Sequence, residues 1–277
     1  MSLMLKLLAI TALLSSLSSL SASSKKVEDF LTKTFSKNQG IKSLKVKVTN
    51  TTVIRKYNGW KAYFVSVDAE LKKDGRKVNQ KMVWFSDGNV VTSELFDVQN
   101  GADFKELTSL PFKDEYYNKA NLIYGSENSK YKVVIFSDPL CPFCRKAVPE
   151  ALNFMKKDPK KFAVYYYHFP LPSLHPAAVP LVKAAVALEL KTGRKDIALD
   201  LYRVKVDARE KDINKVMAAF NKALGSNLKP EDIQKPEVLN HVKHDLDRAD
   251  SLMVNGTPTM FFDGKQDKTK NKYKTAR

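Results

Sequence analysis

Val133-Val134-Ile135-Phe136-Ser137-Asp138-Pro139-Leu140-Cys141-Pro142-Phe143-Cys144 is the stretch on which the reading of this chain turns. Four apolar residues in succession suit a strand buried on both faces. Asp138-Pro139 ends that strand. Residues 141–157 then read as a helix with Pro142 at its start, where proline is well tolerated, and Pro149 is expected to kink it. Cys141 and Cys144 are the two cysteines of the 277-residue chain. A disulfide between them would close a very small loop and remove little entropy from the unfolded chain. It would be a poor staple, so a reactive pair is the better reading.

Downstream, 162–169 reads as a second buried strand closed by Pro170 and Pro172. Residues 177–251 are helical in pattern, in segments 179–190, 197–204, 213–224 and 236–253. Asn255-Gly256 breaks the last of these, and 259–262 is a strand that stops at Asp263-Gly264. Strand, helix, strand, a helical insertion and a further strand make an α/β layer architecture. There is no internal repeat.

Upstream the period changes. Residues 27–36 suit an amphipathic helix with Val27, Phe30, Leu31 and Phe35 on one face. Leu44, Val46 and Val48 then alternate with polar residues, and 60–71, 78–85 and 90–98 follow as strands separated by Asp74-Gly75 and Asp87-Gly88 turns. Residues 24–105 therefore read as a small α+β domain, mostly antiparallel sheet. Residues 106–125 read as a linker helix, and 126–277 as the catalytic domain with its insertion at about 177–251. A sheet of that size with one buried face needs a partner surface. Dimerisation would supply it, and so would cover from the second domain.

A lone C-x-x-C serves zinc sites as well as redox ones. The pairing of the opening stretch with Val254-Asn255-Gly256-Thr257-Pro258-Thr259 is more specific, and it resembles the thioredoxin-fold Dsb proteins over residues 115–264. The two-domain layout resembles the DsbC/DsbG disulfide isomerases. The resemblance implies a thioredoxin-like fold with a helical insertion and a V-shaped homodimer built by the N-terminal domain. It implies that Pro258 is cis and faces the active site, and that the backbone of Thr257 pairs with the substrate chain. The Cys141–Cys144 disulfide would be the redox centre, with no other cofactor, and a membrane redox partner would keep it reduced. Thr257 resembles the isomerase branch, and the CPFC spelling is nearest to the CPYC of DsbG-like and glutaredoxin-like sites. Family members usually close with another strand and an amphipathic helix. Here 265–277 has Tyr273 as its one large apolar residue, so a shortened last layer is expected.

The chemistry fits the placement. Disulfide exchange runs through a thiolate. Unpaired N–H groups and the positive end of the dipole at a helix N-terminus stabilise one at Cys141. Cys144, one turn further in, would be shielded and act as the resolving thiol. Pro142 and Phe143 would set geometry and potential, and Pro258 brings no N–H of its own toward the sulfurs.

Composition sets the surroundings. The chain is 43% hydrophobic and 10% aromatic, a globular balance. Lys6, the apolar run 7–14 and the small residues 15–24 read as a secretory signal over 1–23, which implies export to the periplasm. The formal charge of +17 is spread through every segment, with six basic residues and one acid in 265–277. No nucleic-acid motif accompanies it, so a solvated lysine-rich surface is expected and nucleic acid is excluded as a partner. His241 and His244 share a helix face, and with the cysteines they would complete a four-ligand zinc set. A solvated face is the simpler expectation, and no metal is expected. His168 and His175 flank the proline turn. The expected activity is isomerisation or reduction of disulfides in unfolded or misoxidised exported proteins. A DsbA-like oxidase using the same residues is the near alternative. A chaperone-like binding dimer, with Leu140 and Phe143 as its apolar surface, is the alternative from another class.

Overall fold

The structure, a computed structural model, describes residues 22–277 except Ser109 and Pro111, and the chain divides into two compact units after Leu110. The expected signal segment lies outside the described residues up to position 21.

In the first unit, helix α1 (22–35) buries Val27 and Leu31 against Tyr63, Val65 and Val67. Phe30, on the flank of that stripe, is exposed. Strands β1 (Ile41–Val53), β2 (Lys61–Leu71), β3 (Lys77–Ser86) and β4 (Val91–Thr92) form an antiparallel sheet in chain order. Val46 pairs with Val67 and Val65 with Met82, so the alternating residues share the α1 face. Ala62 and Phe85 serve a second small core with Ile54 and Phe104, the latter from a one-turn helix α2 (Phe104–Leu107). The strand expected over 90–98 shrinks to Val91–Thr92. Thr92 ends it: its hydroxyl accepts from Glu94 N–H at 3.2 Å and donates to Glu94 O at 2.9 Å, a local turn that replaces the ladder.

The helix expected over 106–125 is likewise absent. Residues Asp114–Tyr116 and Lys119–Asn121 are single 3₁₀ turns, and Leu122–Tyr124 is strand β5. The Asn118 side chain accepts from Ala120 N–H at 2.9 Å and caps a turn instead of continuing a helix. Leu122 then pairs with Tyr165.

The second unit is built on a sheet in the order β5-β7-β6-β8-β9. Strands β6 (Tyr131–Ser137) and β7 (Phe162–His168) are parallel, and β8 (Thr259–Phe262) runs antiparallel to β6. β9 (Lys265–Gln266) pairs with β8. Helix α3 (Pro142–Met155) packs Val148, Ala151, Leu152 and Met155 on the Val133 and Ile135 face and runs on through Pro149. The opposite face, with Val134 and Phe136, meets Ala249 of α7 (Pro236–Ser251). Between β7 and β8 the insertion holds α4 (Ala178–Thr192), α5 (Ile197–Asp200), a 3₁₀ turn at Leu201–Arg203 and α6 (Ile213–Leu224). With the start of α7 these share their own core around Leu181, Val182, Val216 and Phe220. The last residues also pack: α8 (Lys272–Thr275) buries Tyr273, whose ring meets Phe154 at 5.2 Å.

Candidate active site

Cys141 is the N-cap of α3, in extended conformation at φ −67° and ψ 125°, with Pro142 opening the helix. The Cys141 side chain makes no capping hydrogen bond to the first turn. Both cysteines are free thiols and both are buried. Cys141 Sγ lies 3.6 Å from the carbonyl oxygen of Thr257, and the Thr257–Pro258 bond is cis. Strand β8 begins at the next residue, so the register of β8 on β6 brings these two segments, 116 residues apart, to one end of the sheet. Phe143 stands outward, 75% exposed. Cys144 is enclosed, and burial pushes its thiol up to about 12, against the downward pull of the Ser137 and Thr257 hydroxyls and the Asp138 backbone.

The loop that carries Cys141 is held by a group the sequence reading took only as a strand stop. Asp138 is fully buried. One carboxylate oxygen accepts from Leu140 N–H at 2.7 Å and Cys141 N–H at 3.2 Å. The other accepts from Leu171 N–H at 2.8 Å and lies 3.0 Å from His175 Nδ1. A buried carboxylate is tolerable only with its lone pairs used in this way. Arg145, also not singled out in the sequence, donates from Nε to Pro139 O at 3.0 Å and from its terminal nitrogen to Val204 O at 2.7 Å. Its i+4 spacing from Cys141 was the available signal. The loop is thus tied to β7's turn by Asp138 and to the helical insertion by Arg145. Leu140, expected at the surface as part of an apolar binding patch, is instead buried in the insertion's core. It anchors the loop from below, and the exposed apolar side chain of the motif is Phe143.

His168 ends β7 and is buried, its N–H donating to Asp245 Oδ2 at 2.9 Å. His241 and His244 do not form a solvated face. They pack 3.8 Å and 3.6 Å from Asp245, a fully buried carboxylate that also accepts from Asn121 Nδ2 at 2.7 Å. Among the described residues no group of three or more His, Cys, Asp and Glu side chains is placed to hold a metal ion, so these histidines do not join the cysteines. No helix among them is long and apolar enough to cross a membrane.

The chain is similar to known proteins over about half of its length. A Na(+)/H(+) antiporter NhaA 1 of Mycolicibacterium gilvum is 27% identical over 149 residues, 52% of this chain and 23% of that protein. The chain therefore spans about a quarter of the length of the curated relatives it matches. Among solved structures, a thioredoxin-like oxidoreductase from Silicibacter pomeroyi is 23% identical with a TM-score of 0.44, over 56% of this chain and 87% of that one. The thiol-disulfide exchange protein alpha-DsbA2 from Wolbachia pipientis is 18% identical with a TM-score of 0.45, over 56% of this chain and 82% of that one. The family model described as Thioredoxin matches residues 117–277, the whole of the sheet, α3 and the insertion, and by that match the chain belongs to the thioredoxin family.

Proposed function

We propose that this protein is an exported thiol–disulfide oxidoreductase, in which Cys141 attacks a substrate disulfide and Cys144 resolves the mixed disulfide that results. One observation carries the reading: a cysteine at a helix N-cap, its sulfur 3.6 Å from the carbonyl before a cis proline, with a second cysteine enclosed one turn behind. Disulfide exchange runs through a thiolate, and the attacking cysteine stands at the helix terminus. The Thr257 carbonyl offers an acceptor to the N–H of an extended substrate chain. Pro142 and the exposed Phe143 shape the approach. The substrates are unfolded or misoxidised exported proteins, and a membrane redox partner restores the dithiol.

Within that class the reading is of a DsbC/DsbG-type disulfide isomerase or reductase acting as a homodimer through its N-terminal unit. The presence of that unit and the threonine at position 257 support it. Refolding of scrambled, fully disulfide-bonded ribonuclease in glutathione buffer tests both levels. Recovery of ribonuclease activity that is lost in Cys141→Ala is the expected result. Rapid oxidation of reduced ribonuclease with no rescue of the scrambled form would instead make this an oxidase on the same site.

A further inference from the structure

Resolution of a mixed disulfide requires Cys144 to attack as a thiolate. Burial opposes that charge. A carboxylate on the strand beneath would be one remedy, but Val133 and Ile135 on the β6 face toward α3 are apolar and Ser137, next on that face, carries no acid. Asp138 has its oxygens occupied by the donors of its own loop and turn.

What the structure supplies in place of an acid is a row of hydroxyls. Ser137, the last residue of β6 and fully buried, carries a hydroxyl that pulls the Cys144 thiol back down against burial. The Ser137 Oγ lies 2.7 Å from the Tyr202 hydroxyl, which lies 2.8 Å from the hydroxyl of Tyr166 on β7. Either oxygen of each pair is able to donate. Burial pushes both phenols above their ordinary range, and a charge on Cys144 pushes them further the same way. They therefore stay protonated and serve as donors, not as bases. Cys141 and Asp138 are the other titratable groups that act on this cluster. Hydrogen bonds in series polarise one another, which strengthens the last of them when its acceptor is charged.

We propose that Tyr166, Tyr202 and Ser137 form a directed hydroxyl chain that holds the Cys144 thiolate during resolution, so that the helical insertion, through Tyr202, is a working part of the redox site. The proposal rests on the reading of Cys141 as the attacking and Cys144 as the resolving thiol. At the start of the step Cys141 is joined to a substrate sulfur. Cys144 gives up its proton and its sulfur attacks Cys141 Sγ. The Cys141–Cys144 bond forms, the bond to the substrate sulfur breaks, and the departing sulfur takes the electron pair and then a proton in place of the one Cys144 lost. Two electrons have passed from the dithiol to the substrate. Ser137 is the member of the row whose hydroxyl acts on the Cys144 thiol, and Tyr202 and Tyr166 act through it as positioning residues.

Reaction of the reduced full chain with dithiobis-nitrobenzoate separates the two halves. The first nitrothiobenzoate is released when Cys141 attacks, and the second when Cys144 resolves. In Tyr202→Phe, which deletes only an oxygen, the second release should slow about tenfold relative to the first. Its pH midpoint should rise by about one unit, the size expected for one weakened hydrogen bond to a charged group. Ser137→Ala should show the same pattern. A ratio and pH profile unchanged from wild type in both variants would overturn the proposal. Equal slowing of both releases with a lowered melting temperature would overturn it too, because that is the signature of a merely structural role. A wild-type chain that releases no first equivalent would overturn the dithiol reading itself, and this proposal with it.

Discussion

His168 is a neutral side chain in the folded protein at neutral pH. Burial pushes its imidazole down to about 4, with the Asp245 carboxylate pulling it back up and His241 adding to the depression. In the unfolded chain it returns to an ordinary value near 6.5. Between those two values the unfolded state binds a proton that the folded state refuses. Its contribution to stability is therefore complete above about pH 6.5 and is lost as pH falls toward 4. The loss amounts to roughly 2 to 3 kcal/mol at pH 4.5. In His168→Gln the backbone N–H still donates to Asp245, and the difference in unfolding free energy between pH 7 and pH 4.5 should shrink by about that amount. An unchanged pH dependence by urea denaturation would mean that the imidazole is not the group titrating. The roles of Asp138 and Tyr202 belong to this same scale, and neither was legible in the chain. A carboxylate that accepts from Leu171 and a phenol that meets Ser137 depend on partners 33 and 65 residues away, which no local spacing encodes. Cys141, Cys144 and the Thr257-Pro258 pair stand out because each is a short local signature.

The elements divide along the same physical line. α6 and β8 follow from the sequence because each is closed by local chemistry. The Asp212 side chain caps Asn214 N–H at 2.9 Å, and Gly225 takes the left-handed φ of 65° at the end of α6. β8 stops at Asp263-Gly264, with Gly264 at φ 74°. The 90–98 and 106–125 segments depart from the expected strand and helix because the Thr92 and Asn118 side chains turn the backbone locally. Glycines test how tightly the elements meet. Gly125, between β5 and β6, sits at φ 76°, and a Cβ there would lie 2.0 Å from the Phe162 carbonyl oxygen. Gly193 ends α4 at a similar φ of 72° but faces open space. Both substitutions to alanine carry the left-handed penalty of about 1 kcal/mol. Gly125→Ala must also displace backbone, so it should cost at least about 2 kcal/mol more than Gly193→Ala. Equal losses in thermal unfolding would show that the β5–β7 edge gives way easily.

At the scale of the whole molecule the charge and the apolar surface pull in opposite directions. The chain carries a formal +17, and some of its lysines sit in exposed ion pairs such as Lys25–Asp29 and Lys243–Asp247. Pairs of that kind contribute little to stability, on the order of 0–1 kcal/mol. They do not cancel the net repulsion between copies. The N-terminal unit nevertheless leaves Val53, Val90, Phe96 and Val98 exposed, and its β1 edge is unpaired by any strand within the described residues. Self-association through this unit would cover apolar surface at the expense of bringing two strongly positive chains together. Salt screens the repulsion within roughly 10 Å at 0.1 M and leaves apolar burial largely intact. The proposed homodimer should therefore tighten as ionic strength rises, the reverse of an association held by ion pairs. Sedimentation equilibrium of the chain at low and moderate salt separates the possibilities. A dimer mass that strengthens with salt supports the N-terminal unit as the apolar interface. A dimer that weakens with salt would move the interface to the charged surface. The mass of one chain at both salts would remove the homodimer and favour the oxidase reading of the same cysteine pair.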